Sequence, residues 1–406
     1  MIFCTHWFII AVSIFLPIYW LAGGRPKWRA FILLGFCLIF HSHFAGAAGV
    51  LPIITLALIT YFCGRLSGTT GGAAAIVGII ISTAALLTYK YHQFLLFDLL
   101  GAVNRPLADH FASLLKPLLP ATPPLAISFF AFEFIHYLVE VKRGREPIKN
   151  PFHFAAFTIY FPSLVAGPIK RYYDFLPELE KGLKQTKTVM IAEGLLLMAS
   201  GFFKKMVLAD NINQFILHQE PFFNVQSLPE RWLFVLALAG RIYFDFSGYT
   251  DIALGLSCML GIKLPINFNK PYGARSIREF WQRWHMSLSF WIRDYIYIPL
   301  GGGQHGAVRR ILNGLIAFAL CGLWHGASWN FVFWGLYHGV GLAINNYYRR
   351  ITLFKPLAKA FDRLPALAWL STFLFVILGW LPFFYPLDRA FGMFLLLFQT
   401  KLVPLE

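Results

Sequence analysis

The chain has 406 residues, of which 58% are hydrophobic and 13% charged, and its 35 Lys and Arg outnumber 19 Asp and Glu for a net charge of +16. A soluble chain holds about 45–50% apolar and about 25% charged residues, so the polar surface here is too small to clothe a water-soluble globule. Disorder, a collagen-like rod, a disulfide scaffold and a cytosolic enzyme are excluded, and the chain reads as an all-α, polytopic integral membrane protein.

A membrane span takes about 20 mostly apolar residues. In chain order the candidate spans are 6–22, 30–45, 48–63, 72–89, 122–141, 152–168, 189–209, 231–262, 308–324, 328–348 and 366–384. That is about ten to twelve spans, expected in one domain over 1–406. The first run, Trp7 to Ala22, has neither a basic leader nor a small-residue cleavage site, so it reads as a retained span. The apolar stretch 91–120 is interrupted by Asn104, Arg105, Pro106, Lys116 and Pro117 and reads as short or re-entrant. Glu133 and His136 share a helix face, as a buried hydrogen-bonded pair or a proton relay. Gly167-Pro168 followed by Lys170-Arg171 predicts a helix break with an anion-attracting patch. The run 231–262 is too long for one span and contains Gly240, Arg241, Asp245, Gly248 and Asp251, which predicts a broken helix or two helices. Arg241 and Asp245, four apart, are placed to pair, and Asp251 to hold Tyr249 or a backbone group.

Basic residues fall in short clusters between apolar runs, such as Lys142-Arg143-Arg145-Lys149 and Arg349-Arg350. This is the pattern of membrane-protein loops with added attraction to anionic lipid, not of a nucleic-acid reader. Cys4, Cys37, Cys63, Cys258 and Cys321 are dispersed, with no metal or disulfide spacing. Residues 274–298 differ from every span. Ile277, Phe280, Trp281, Trp284, Leu288, Trp291, Tyr295 and Ile298 form one helical stripe, with Arg278, Gln282, Arg283 and Arg293 on the remaining arc. This predicts an amphipathic helix lying along an interface, with His285 at the border of the stripe, where snorkelling is the ordinary explanation. Arg275, Arg278, Arg283 and Arg293 lie beside it, where they would attract an anionic donor.

Of twelve histidines, His6, His41, His43 and His92 lie near span ends and His218 and His305 in polar loops. His325, in Leu323-Trp-His-Gly326, and His338, in Tyr337-His-Gly339, lie within apolar runs, where an ionisable group is costly and defaults to a functional hypothesis. Neutral imidazole has a pKa suited to abstracting a proton near neutrality. On one continuous helix the two would stand about 20 Å apart and could not serve one atom. A packed core His is the competing reading, evenly balanced for His325 and favoured for His338. No G-x-S-x-G, Walker-type or H-E-x-x-H motif is present, which disfavours a serine hydrolase, a P-loop pump and a zinc protease. Acyl transfer from an activated thioester needs none of these. It needs a base, oxyanion donors and access for both substrates.

Several longer motifs recur in one order: Ile127-Ser-Phe-Phe-Ala-Phe-Glu133, Phe161-Pro-Ser-Leu-Val-Ala-Gly-Pro168, Tyr243-Phe-Asp-Phe-Ser-Gly-Tyr-Thr-Asp251, Asn267-Phe-Asn-Lys-Pro271, Glu279-Phe-Trp-Gln-Arg-Trp-His-Met-Ser-Leu-Ser289, Arg293-Asp294 and Leu323-Trp-His-Gly326. In these the chain resembles the membrane-bound O-acyltransferases, specifically the bacterial branch with the alginate O-acetyltransferase membrane subunit and the D-alanyl transferase of teichoic acids. The resemblance implies a ring of tilted helices around a thin centre with a catalytic tunnel. It maps the family's near-invariant histidine onto His325 and its second motif histidine onto His285. Trp284, Ser289, Arg293, Asn267, Trp324, Tyr249 and Asp251 become candidate substrate contacts. It further implies no permanently bound cofactor or metal, an acetyl-CoA or acyl-carrier-protein thioester as co-substrate from the cytoplasm, an extracytoplasmic accessory acyltransferase or acceptor protein, and residence in the bacterial inner membrane among its lipids. The acyl group is acetyl or D-alanyl, and the acceptor an envelope polysaccharide or teichoic-acid-like polymer. Two alternatives stand beside this: a transporter or flippase without chemistry, built on Glu133, Arg241, Asp245 and Asp251, and an acyltransferase acting on a lipid or protein.

Overall fold

A computed structural model describes residues 2–119, 123–304 and 306–399. His305 lies outside these residues. All regular structure among them is helical, with no strand. Chain contacts gather into two compact units, Met1–Phe202 with Tyr249–Pro265, and Phe203–Gly248 with Ile266–Glu406.

The first unit contains α1 (His6–Leu21), α2 (Pro26–Gly46), α3 (Ala48–Leu66), α4 (Ala73–Tyr91), α5 (Phe94–Val103), α6 (Arg105–Leu115), α7 (Ile127–Lys142), α8 (Pro151–Ile159), α9 (Tyr172–Lys184) and α10 (Thr188–Phe202). Further along are α11 (Asp210–Gln219), α12 (Leu228–Met259), α13 (Ile277–Trp281), α14 (Met286–Ile292), α15 (Gly306–His325), α16 (Trp329–Tyr347), α17 (Lys355–Arg363), α18 (Pro365–Phe384) and α19 (Leu387–Leu396). Five of these, α2, α3, α4, α15 and α18, are long and apolar enough to cross a membrane. Their outer faces carry large exposed apolar residues, among them Phe31, Leu51, Phe62, Ile80 and Val308, which in a membrane protein meet lipid rather than water. All five cysteines are free thiols.

Helix ends follow local chemistry. Gly46, the last residue of α2, takes the non-helical angles φ 64° and ψ 173° and separates α2 from α3. Asn104 ends the apolar stretch that begins at Phe94 and caps α6 by accepting the Leu107 N–H at 3.1 Å, with Pro106 in the first turn. Asn150 caps α8 in the same way through the Phe152 N–H at 2.9 Å, ahead of Pro151.

Several expectations are corrected. The stretch 152–168 is not one span, because α8 stops at Ile159 and a short 3₁₀ turn, Phe161–Ser163, follows. Gly167 sits so close that a Cβ there would lie 2.4 Å from the Ser163 Cα. The run 231–262 is not broken in its interior: the 32-residue helix α12 covers it as far as Met259, with Gly240, Gly248 and Gly255 inside the helix and Gly261, at φ 82°, beyond its end. Arg241 and Asp245 do not pair, since Lys205 takes Asp245 at 2.6 Å and the Arg241 guanidinium stacks over Phe384 at 5.0 Å. Glu133 and His136 likewise have separate partners. Glu133 accepts from Lys170 Nζ at 2.5 Å, and His136 Nε2 accepts the Tyr172 N–H at 3.1 Å. Lys170 is therefore a buried counter-ion and not part of an anion-attracting patch, and Arg171 donates to the Tyr173 hydroxyl at 2.7 Å.

Candidate active site

The segment 274–298 is not a single amphipathic helix. Ser276 starts α13 by accepting the Glu279 N–H at 3.1 Å, and the Glu279 carboxylate returns to the Arg275 N–H at 2.6 Å, a capping-box exchange shifted by one residue. After one turn the chain bends at His285, whose φ of 40° and ψ of 55° lie in the left-handed region, before α14 begins. Asn267 holds this corner from a distant loop. Its side-chain oxygen accepts from Ser287 N at 3.2 Å and Ser287 Oγ at 2.7 Å, and its carbonyl accepts the Met286 N–H at 3.0 Å. Asn269 N adds a bond to the Arg283 carbonyl at 3.0 Å.

The bend turns His285 inward, and the snorkelling expectation is overturned: the residue is 1% exposed. Its ring meets the edge of Phe246 at 4.7 Å, Trp324 at 5.8 Å and His325 at 6.4 Å between centroids. Neither ring nitrogen has a hydrogen-bond partner among the described residues. Burial, and secondarily the neighbouring His325, hold its pKa well below the usual imidazole value, so the ring is neutral near pH 7.

His325 is the last residue of α15. Trp324, Trp334 and Phe383 surround its ring at 4.8, 5.1 and 5.2 Å, and it is only half-buried. The chain does not continue as one helix to His338. It turns through Gly326–Ser328 and returns as α16, so that Trp334 touches both His325 and, at 5.0 Å, His338. His338 is fully buried among Trp281, Phe280, Phe375 and Trp380.

Glycines permit this hairpin. A Cβ on Gly322 would lie 2.0 Å from the Phe331 carbonyl oxygen, and one on Gly335 would lie 2.1 Å from that of Phe318. Both clashes are against backbone, which cannot swing aside. Gly322→Ala is therefore expected to force α15 and α16 apart, destabilising the protein by about 1–3 kcal/mol as overpacking does and displacing His325. A lowered melting temperature together with lost activity checks this; an unshifted melt would show that the helices can separate freely.

The structure thus gathers His285, His325, Trp324, Trp284 and Asn267 in the second unit. Trp284 packs on Phe280, Phe268 and Trp380 at 5.6, 5.0 and 5.1 Å, and Asn267 is the corner clamp. Ser289 donates to the Trp284 carbonyl at 3.3 Å, and Arg293 pairs with Asp294 at 2.6 Å. Both line a cavity of about 520 Å³ together with Arg278, Gln282, Arg310 and Cys321. Tyr249 and Asp251 are packed in the first unit, Tyr249 stacked on Phe3 at 4.5 Å and Asp251 accepting from Ser200 Oγ at 3.2 Å. Sequence reasoning assigned no role to Phe246, although it lies in the motif Tyr243–Asp251, nor to Trp334, in the segment Trp334-Gly-Leu-Tyr-His-Gly339, nor to Phe383, which has no motif signal. Among the described residues no cluster of His, Cys, Asp and Glu is placed to hold a metal ion. Two adjacent imidazoles in an aromatic enclosure, one of them kept neutral by burial, are suited to taking a proton from a hydroxyl and holding a reacting carbonyl.

The family model for the membrane-bound O-acyltransferases matches residues 119–387. The chain is 34% identical to a probable alginate O-acetylase of Azotobacter vinelandii, over 98% of this chain and 78% of that protein. It is 35% identical to a peptidoglycan O-acetyltransferase of Helicobacter pylori, over 76% and 61%, and 30% identical to a teichoic acid D-alanyltransferase of Bacillus subtilis, over 80% and 86%.

Proposed function

The chain belongs to the membrane-bound O-acyltransferase family, and from that premise we propose that it passes an acetyl group from a cytoplasmic thioester to hydroxyls of an extracytoplasmic polysaccharide. The chain is a multi-pass membrane protein and an O-acyltransferase. The higher identity to relatives named as O-acetylating enzymes than to the D-alanyltransferase supports acetyl as the group.

The observation that carries the reading is the His285–His325 pair, 6.4 Å apart within one aromatic enclosure. His325 is the base: half-exposed at the end of α15, it takes the proton as the acceptor oxygen, or a relaying hydroxyl, attacks the thioester carbonyl. The carbon–sulfur bond breaks, the thiol leaves with a proton, and the acyl group ends on oxygen. His285, buried and neutral, positions the thioester or the hydroxyl. No resident metal or cofactor takes part. The donor is acetyl-CoA or an acyl carrier protein, the location is the bacterial inner membrane, and an extracytoplasmic acyltransferase or acceptor protein receives the group.

Mass spectrometry of envelope polymers from cells with and without the protein tests this. Loss of ester-linked acetyl on a polysaccharide is expected; loss of D-alanyl esters instead would change the acyl group, and unchanged polymer esters would overturn the reading. In liposomes, movement of intact substrate without acyl transfer would favour a transporter. His285→Asn keeps the left-handed corner, because Asn adopts that conformation readily. The variant should remain folded and lose about tenfold or more of its turnover, measured as thiol release; unchanged turnover would remove His285 from the chemistry.

A further inference from the structure

We propose that a second cavity, bordered by α17, binds one anionic phospholipid, with its phosphate at Arg275 and an acyl chain along Phe354, Leu357 and Phe361. This cavity, about 770 Å³, contains neither His285 nor His325 in its lining. Its wall has two chemistries. Phe354, Leu357, Phe361 and Phe375 are among its apolar lining, while Arg275, Arg278 and the Arg349–Asp362 pair are among its charged lining.

Arg275 is the anchor. It is exposed, its backbone N–H is already given to Glu279, and its guanidinium has no partner among the described residues. Arg349 is held by a two-pronged pair with Asp362, at 2.8 and 2.9 Å, and both residues line the same cavity. Residues 349–363 contain Arg349, Arg350, Lys355, Lys359 and Arg363 against the single Asp362. Within α17, Lys355, Lys359 and Arg363 recur every four residues and share a face. Phe354, Leu357, Ala358 and Phe361 recur at three and four and form the opposite stripe. That stripe is not fully covered: Leu357 is 42% exposed, and neighbouring Leu353 is 80% exposed. A short basic amphipathic helix with open apolar residues is the form of a segment lying at the membrane–water boundary. A free phosphate would use the arginine and leave the apolar wall bare, and a zwitterionic lipid would gain little from the surplus positive charge. An anionic glycerophospholipid satisfies both sides.

The test uses the full-length purified protein in detergent. Phosphatidylglycerol or phosphatidylcholine is added in mixed micelles, and bound lipid is read by native mass spectrometry and by the thermal midpoint. Phosphatidylglycerol is expected to give a retained adduct and a rising midpoint, and phosphatidylcholine neither. Arg275→Gln should weaken phosphatidylglycerol binding about fivefold, the worth of one basic residue near an anionic surface. Leu357→Asn, at an exposed position, should weaken it independently. An equal response to phosphatidylcholine, the same shift with inorganic phosphate or coenzyme A alone, or full binding by both variants would overturn the proposal. This proposal and the acyl-transfer reading can fail separately, because lipid retention and thiol release are separate measurements.

Discussion

His325→Ala is expected to lower acyl transfer by about 10²–10⁴-fold, the usual contribution of a positioned general base, while the protein remains membrane-inserted and monodisperse. The side chain stands at the end of α15, half-buried, and its ring packs on Trp324, Trp334 and Phe383. The measurement is thiol release from the thioester together with ester formation on the polymer, each normalised to folded protein by fluorescence size exclusion. Equal turnover by the variant would reject His325 as the base. His325→Gln, which keeps a hydrogen-bonding side chain of similar reach but cannot accept and carry the proton, should be nearly as inactive as Ala. Recovery by Gln would mean that the residue orients substrate and does not move a proton.

The second large effect concerns stability. Lys170→Met is expected to destabilise the protein by about 3–5 kcal/mol, because it leaves the Glu133 carboxylate buried without its counter-charge. The two side chains are 1% and 6% exposed and their bond is 2.5 Å long. Glu133→Gln with Lys170→Met should recover most of the loss, since no buried charge then remains and the shapes are nearly conserved. Thermal melts of the single and double variants in the same detergent form the cycle. If Lys170→Met melts with the wild type, the pair is not an ion pair that the fold depends on. This is also why Glu133 is a poor candidate for a transport or relay group: its charge is already committed to Lys170.

Much of the organisation was legible in the residues. Composition sufficed for an all-helical membrane protein, and the helix interruptions at Gly46 and at Asn104-Arg105-Pro106 follow from residues whose backbone preferences act locally. The cysteines, read as small apolar core residues, are buried at Cys37 and Cys321 but only partly buried at Cys4, Cys63 and Cys258. The motif order from Ile127 to Gly326 led to the family that the comparisons then established. Where local rules competed with partners far along the chain, the reading failed. Arg241 and Asp245 have ideal spacing, yet Lys205 reaches Asp245 from another helix and Phe384 offers Arg241 its ring face. Residues 274–298 keep a perfect amphipathic period through the very point where the chain bends.

By itself, then, the sequence determined the solvent, the helical class, the family and the two histidines to examine, because composition, periodicity and motif order are properties of neighbouring residues. Only the tertiary structure decided what those histidines are to each other. Asn267, through bonds to Met286 and Ser287, bends the helix and buries His285, and Gly322 and Gly335 let α15 and α16 close on each other beside His325. Both are contacts between residues distant in the chain, and no local period encodes them.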